Sequence, residues 1–188
     1  MRVFLAFELP QQAREELAAM VERFRNAQPR GVNWASPQNL HITLLFLGEA
    51  PVSVIPSIDN VVSETLGSLP AFEITDPRVQ IIPAHNPRLV WVHFNTTFKP
   101  VFKLPQRLRE QLAELGVEAD AKSLKLHCTL GRIKTKIDER TLASMMGQTF
   151  ARRACIIDSA TLYQSVLSPQ GPEYTRLRAY QLTRRNFA

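Results

Sequence analysis

A mixed fold of strands and helices, in which one strand–helix–strand–helix–strand unit is used twice, is what this sequence predicts. Two observations predict it. The first is a repeated motif: His41-Ile-Thr-Leu44 and His127-Cys-Thr-Leu130 lie 86 residues apart, each inside an apolar run. The second is that their surroundings repeat at the same offset. Val3 and Leu89 open similar strands, Gln12 and Phe98 stand at helix starts, Ser53 and Glu139 fall in short helices, and Phe72 and Asp158 fall in late strands. An approximate two-fold axis between the copies would bring His41 and His127 face to face in a cleft. No linker or low-complexity stretch separates the halves, so residues 1–188 are expected to form one bilobal domain.

The elements follow in order. Arg2–Glu8 reads as a strand, and Pro10 starts a helix whose Leu17, Met20, Val21 and Phe24 keep an i, i+3, i+4, i+7 stripe. Pro29 and Gly31 end it. Val32–Ala35 is a short strand and Ser36–Asn39 a turn before the first motif strand, which stops at Gly48. Ser53 to Leu66 is helical, with Pro56 tolerable only in a first turn. Ala71–Ile82 is extended, and Pro77 marks a bulge or an edge. After the loop Pro83–Arg88 the order restarts. Leu89–Phe94 is a strand, Pro100–Leu115 a helix capped by Gly116, and the second motif strand follows. A short helix then has Asp138 as its N-cap. Ala154–Ser165 and Tyr174–Leu182 are closing strands.

Composition bounds the function. The apolar runs are far shorter than the roughly 20 residues of a membrane helix, and the first eight residues are too short for a secretory leader. A cytoplasmic location is expected. Two cysteines, Cys128 and Cys155, build neither a disulfide framework nor a zinc knuckle. The net charge of +6 is unevenly placed. Residues 1–131 carry 13 basic and 13 acidic side chains, and residues 132–188 carry 10 basic against 4 acidic. The excess begins at Arg132 and continues through Lys134, Lys136 and Arg140 to Arg184 and Arg185. It favours a polyanionic partner such as RNA.

Strand alternation puts His41 and Thr43 on one face, and His127 and Thr129 likewise. Histidine titrates near pH 6.5, roughly, so one copy can act as a base while the other acts as an acid on a single phosphorus. Each proton transfer is worth about 10²–10⁴-fold. The two threonine hydroxyls would donate to non-bridging phosphate oxygens, a stabilisation that needs no metal. Zinc wants three or four ligands and no third one repeats beside the histidines, so neither metal nor cofactor is expected. His85 and His93 break the offset and read as structural. Such a site suits a small, strained phosphodiester.

On these residues the chain resembles the two-histidine (2H) phosphoesterase superfamily, and within it the LigT-like RNA 2′,3′-cyclic phosphodiesterases, once named 2′-5′ RNA ligases. The doubled His-x-Thr-Leu carries the likeness. Arg2–Pro10, Val32-Asn-Trp34 with Asn39-Leu-His41, Pro87–Val92, Leu162–Ser165 and Gly171–Tyr174 extend it over nearly the whole chain. The resemblance implies an α+β fold with two antiparallel sheets lining a central cleft and helices outside. It implies metal-independent opening of RNA 2′,3′-cyclic phosphate ends to 2′-phosphates, with reversible 2′-5′ joining in some members. His41, Thr43, His127 and Thr129 match its catalytic positions, with His41 as acid to O3′ and His127 as base to water. Arg132 matches the arginine after the second motif. Trp34 and Tyr163 are further substrate-binding candidates, able to stack on a base, whereas Phe46 reads as core. A monomer acting on RNA is expected.

Two departures stand. The second motif has Leu126-His-Cys-Thr where Pro-His-Ile-Thr is the pattern. Strict alternation also puts Arg132 opposite His127, so either the strand twists or bulges before it, or Arg132 reaches in from the rim. Other functional readings are a non-catalytic RNA- or nucleotide-binding module of the same fold, and a phosphodiesterase for another small substrate such as 2′-5′ oligoadenylate.

Overall fold

The computed structural model describes residues 1–146, 148, 150–168 and 171–183. The predicted Arg184 and Arg185 of the basic excess lie outside these. Among the described residues, nine strands and four helices alternate along the chain. They are β1 Arg2–Phe7, α1 Gln11–Ala27, β2 Val32–Trp34, β3 Ile42–Glu49, α2 Ile55–Gly67, β4 Phe72–Ile82, β5 Leu89–Asn95, α3 Leu104–Ala113, β6 His127–Ile133, α4 Glu139–Met146, β7 Ala154–Ile157, β8 Ser159–Ser168 and β9 Gly171–Gln181.

The local signals act as expected. Pro10 precedes α1, whose Leu17, Met20, Val21 and Phe24 are buried. A 3₁₀ turn, Val52–Val54, leads into α2, and Pro56 sits in its first turn, where a missing N–H costs nothing. Asp138 accepts the Thr141 backbone N–H at 2.9 Å before α4. Pro77 lies where the β4–β5 register shifts, beside Asp76 at φ 50°.

The sheet is where expectation and structure part. The resemblance implies two sheets, and the strands instead form one continuous antiparallel sheet in the order β7-β4-β5-β6-β3-β1-β8-β9, with β2 also on β6. Its middle is thin, because β3 and β6 share the single pair Ile42–Cys128. The predicted strand Ala154–Ser165 is two. Its first part pairs with β4 and its second with β1, on opposite sides of that joint. Only Asp158 lies between them. Strands so far apart in the sheet order meet at one residue only if the sheet curls round on itself.

The helices and one face of the sheet share the main core. Val3, Leu5 and Phe7 of β1 face it, with residues of all four helices. The other face of β1 carries a separate apolar cluster, in which Phe4, Ala6 and Tyr163 are buried and Tyr174 packs against them. We call this second face the open face. Among the described residues no helix is long and apolar enough to cross a membrane.

Candidate active site

The thin joint places the two motifs side by side. Ile42 and Cys128 are paired and wholly buried on the helix face. His41 and Thr43 flank Ile42, and His127 and Thr129 flank Cys128, so all four turn toward the open face. Each remains partly accessible.

The two imidazoles are held alike. His41 Nδ1 lies 2.8 Å from the Asn39 carbonyl oxygen, and His127 Nδ1 lies 2.8 Å from that of Lys125. A carbonyl only accepts, so Nδ1 carries the proton in both rings and Nε2 is the variable nitrogen. His41 Nε2 is 3.1 Å from Thr43 Oγ1 and, in the neutral ring, accepts its hydroxyl. Each ring also rests on an aromatic neighbour. Phe4 lies 5.1 Å from His41 and Trp91 lies 4.1 Å from His127, centroid to centroid.

Their electrostatics favour neutral rings. Burial pushes His41 down to about 4, opposed by its bond to Asn39 and by the Glu8 carboxylate, and aided by the charge of His127. His127 is also lowered, first by burial, then by Lys125, His93 and Arg132, against its bond to the Lys125 carbonyl. Behind His41 the Glu8 carboxylate is almost fully buried. It accepts the Tyr163 hydroxyl at 2.5 Å and pairs with Arg14 at 2.9 Å and Arg176 at 3.1 Å.

Arg132 joins the histidines through a bulge. Trp91 pairs with Thr129 and Val90 with Gly131, so Leu130 is the extra residue in β6. The extra residue reverses the alternation beyond it and returns Arg132 to the open face, exposed, two residues past the bulge. The charge of Arg132 reaches both His127 and Tyr174. Gly131 is needed there: a Cβ on it would lie 2.6 Å from Trp34 Cε3. In β3 the pairs Leu45–Leu5 and Thr43–Ala6 leave Leu44 as the extra residue. Leu44 and Leu130 are themselves 86 residues apart, as are Phe46 and Arg132. The bulge therefore recurs with the motif and presents Phe46 in one half where Arg132 stands in the other.

Three expectations change. Trp34 lies on the helix face, 5.8 Å from Phe24 and with Nε1 donating to the Gln28 carbonyl at 2.9 Å. It supports Gly131 and is not brought to the histidines. Tyr163 does lie on the open face, but it is buried, stacked on Phe4 at 5.2 Å, with its hydroxyl on Glu8. It forms the floor and offers no ring face. Phe46, read as core, is 43% exposed beside Phe4, because the bulge turns it outward. Sequence reasoning missed Phe4, Glu8, Trp91 and Tyr174. Their roles depend on register between distant strands, for which the sequence carries no local signal. Among the described residues no three His, Cys, Asp or Glu side chains gather as a metal site.

Comparison with known proteins gives this arrangement a family. The profile of the 2′-5′ RNA ligase superfamily matches residues 9–167. The chain belongs to that superfamily. The RNA 2′,3′-cyclic phosphodiesterase of Archaeoglobus fulgidus is 31% identical over 184 residues, covering 96% of this chain and 100% of that protein. The Thermus thermophilus protein of the same name is 32% identical over 190 residues, covering 97% and 90%. Among solved structures, TT0787 of Thermus thermophilus superposes with a TM-score of 0.79 at 28% identity over 97% of this chain and 98% of that one. Escherichia coli LigT, solved with NADP+, matches in fold with a TM-score of 0.74 at 23% identity over 97% of each chain. This superfamily member thus shares the mixed helix and antiparallel-sheet architecture of LigT-like proteins along almost its full length.

Proposed function

We propose that this protein hydrolyses RNA 2′,3′-cyclic phosphate ends to 2′-phosphates without a metal, and that it can reversibly join RNA ends by a 2′-5′ bond when an RNA 5′-hydroxyl attacks the cyclic phosphate in place of water. One observation carries the reading: two imidazoles, each anchored at Nδ1 by a carbonyl two residues upstream, with threonine partners on the same face. The curated names of its relatives support the substrate.

His127 Nε2 takes a proton from water as the water oxygen bonds to phosphorus. The P–O3′ bond breaks, and His41 Nε2 delivers its proton to the leaving O3′. Thr43, Thr129 and the Arg132 charge receive the non-bridging oxygens, whose charge grows in the transition state. The scheme makes a demand on His41. It is neutral in the free protein, with a pKa of about 4, and must gain a proton as the anionic phosphate docks. Protonated, Nε2 becomes a donor, so the Thr43 hydroxyl is released to donate to phosphate. Binding and acid formation are thereby coupled.

Several finer features belong to the same reading. The matched bulges and the strand order support a duplicated unit with an approximate two-fold axis through the Ile42–Cys128 pair. The protein acts as a single-domain monomer that meets RNA in the cytoplasm.

The test is an oligoribonucleotide with a defined 2′,3′-cyclic end, incubated after EDTA treatment. The expected product is a 2′-phosphate, with His41→Ala and His127→Ala each at least about 10³-fold slower. A 3′-phosphate product reverses the direction of cleavage. Full activity in either variant overturns the enzyme reading.

A further inference from the structure

Outside the motif residues, the open face holds a cationic row that the chemistry above leaves unused. In register, Arg78 of β4 pairs with His93 of β5, and His93 pairs with His127 of β6. Side chains paired across neighbouring strands share a face, so the row crosses three strands from the site outward. With strands about 4.8 Å apart, Arg78 stands about 10 Å from His127 at the backbone. Lys125 closes the group, with Nζ 6.0 Å over the Trp91 ring that itself rests on His127. Gln80 accepts the Trp91 Nε1–H at 2.9 Å and faces the same way.

The row is exposed and lacks acids. Arg78 and Lys125 are exposed and His93 is half-buried. Among the described residues none of the three has a carboxylate partner within ion-pair distance. Burial and then the Arg78 charge lower the pKa of His93, and burial, then Lys125 and His93, lower that of His127, so at neutral pH Arg78 and Lys125 carry the charge beside neutral imidazoles. Grouping cations without a counter-charge costs folding energy, and the group becomes favourable when an anion occupies it. The scissile phosphate is already claimed by the histidine–threonine pairs and Arg132. The anion for this row is therefore a second one, held at a fixed distance from the first.

We propose that Arg78, His93 and Lys125 form a subsite for the internucleotide phosphate next to the cyclic end, so that the strand leaves the site across β5 and β4 and oligonucleotides are preferred over a mononucleotide. This rests on the function proposed above and names the substrate class of the same site. Among the described residues no aromatic ring is free on this path, since Trp91 is covered by His127 and Lys125, so recognition is of the backbone and tolerates any base.

The experiment compares a 2′,3′-cyclic mononucleotide with a tetranucleotide bearing the same cyclic end. In Arg78→Gln the ratio of tetranucleotide KM to mononucleotide KM is expected to rise about tenfold, and Arg78→Lys to restore most of it. The logarithmic salt slope of tetranucleotide binding should fall by about one. The control is Lys134→Gln with Lys136→Gln, basic residues past the other end of β6. An unchanged ratio in Arg78→Gln, or a rise in the control instead, overturns the subsite. Binding is measured in parallel with a 3′-phosphorylated deoxytetranucleotide, which cannot turn over. Tenfold weaker binding in Arg78→Gln without any hydrolysis by the parent protein would retain the subsite and overturn the enzyme reading.

Discussion

At the scale of residues, the site depends on neutral imidazoles held in water-poor surroundings. Burial lowers the pKa of His41 from 6.5 to about 4. The folded protein then binds fewer protons than the unfolded chain between those two values, so stability falls as pH drops through 6.5 and levels off below about 4. The shift corresponds to about 3 kcal/mol. Urea midpoints at pH 7 and pH 4.5 should differ less in His41→Gln than in the parent protein. His93 and His127 are lowered in the same direction and leave a residual dependence of the same sign. A second expectation concerns proton uptake. If His41 is the acid, calorimetric titration at pH 7 with a non-hydrolysable analogue of the 2′,3′-cyclic substrate should show close to one proton taken up per site, read from buffers of different ionisation enthalpy, and His41→Gln should abolish that uptake. Uptake kept in His41→Gln and lost in His127→Gln would give the acid role to His127. Thr129→Val, which removes one hydroxyl donor and little volume, should slow turnover about 10²-fold with KM less affected.

Elements are where the two bulges act. Leu44 and Leu130 turn their strands so that Phe46 and Arg132 follow the threonines onto the open face. Close packing of Trp34 and Val32 leaves no room for a side chain at residue 131 of the second bulge. Gly131→Ala is expected to cost about 1–3 kcal/mol by overpacking and to lower activity by displacing Arg132. Adding Trp34→Leu should recover part of the stability, a coupling that a double-mutant cycle with chemical denaturation would read. This level also shows what the sequence could and could not disclose. The stripe Leu17–Phe24, Pro10, Pro56, Pro77 and Asp138 act through neighbours a few residues away, and their elements were legible. His41, Thr43, His127 and Thr129 were legible because alternation is a local rule. The side Arg132 takes was not, since an extra residue in a strand is defined only against its partner strand. Trp34 and Tyr163 read as stacking candidates from residue type alone, and pairing partners far along the chain decide that both are covered.

For the whole molecule, one buried carboxylate links distant parts. Glu8 directly follows β1, and its partners Arg14, Tyr163 and Arg176 come from α1, β8 and β9. Glu8→Gln leaves two arginines facing each other behind His41. Both are partly exposed, so the expected loss is about 2 kcal/mol, smaller than for a fully buried pair. Thermal unfolding would measure it, and a fall in kcat accompanying it would show that the network also orients the His41 ring.

The strand order carries one more consequence. β4 comes before the Pro83–Arg88 loop but lies against β5 and β7, while β8 comes after it and lies against β1. A backbone cut within that loop would yield two pieces, each missing a strand that its own sheet requires. Separately they should stay unfolded. Mixed, they should reassemble and regain hydrolysis together, so that a split version of this protein reports on the meeting of its halves.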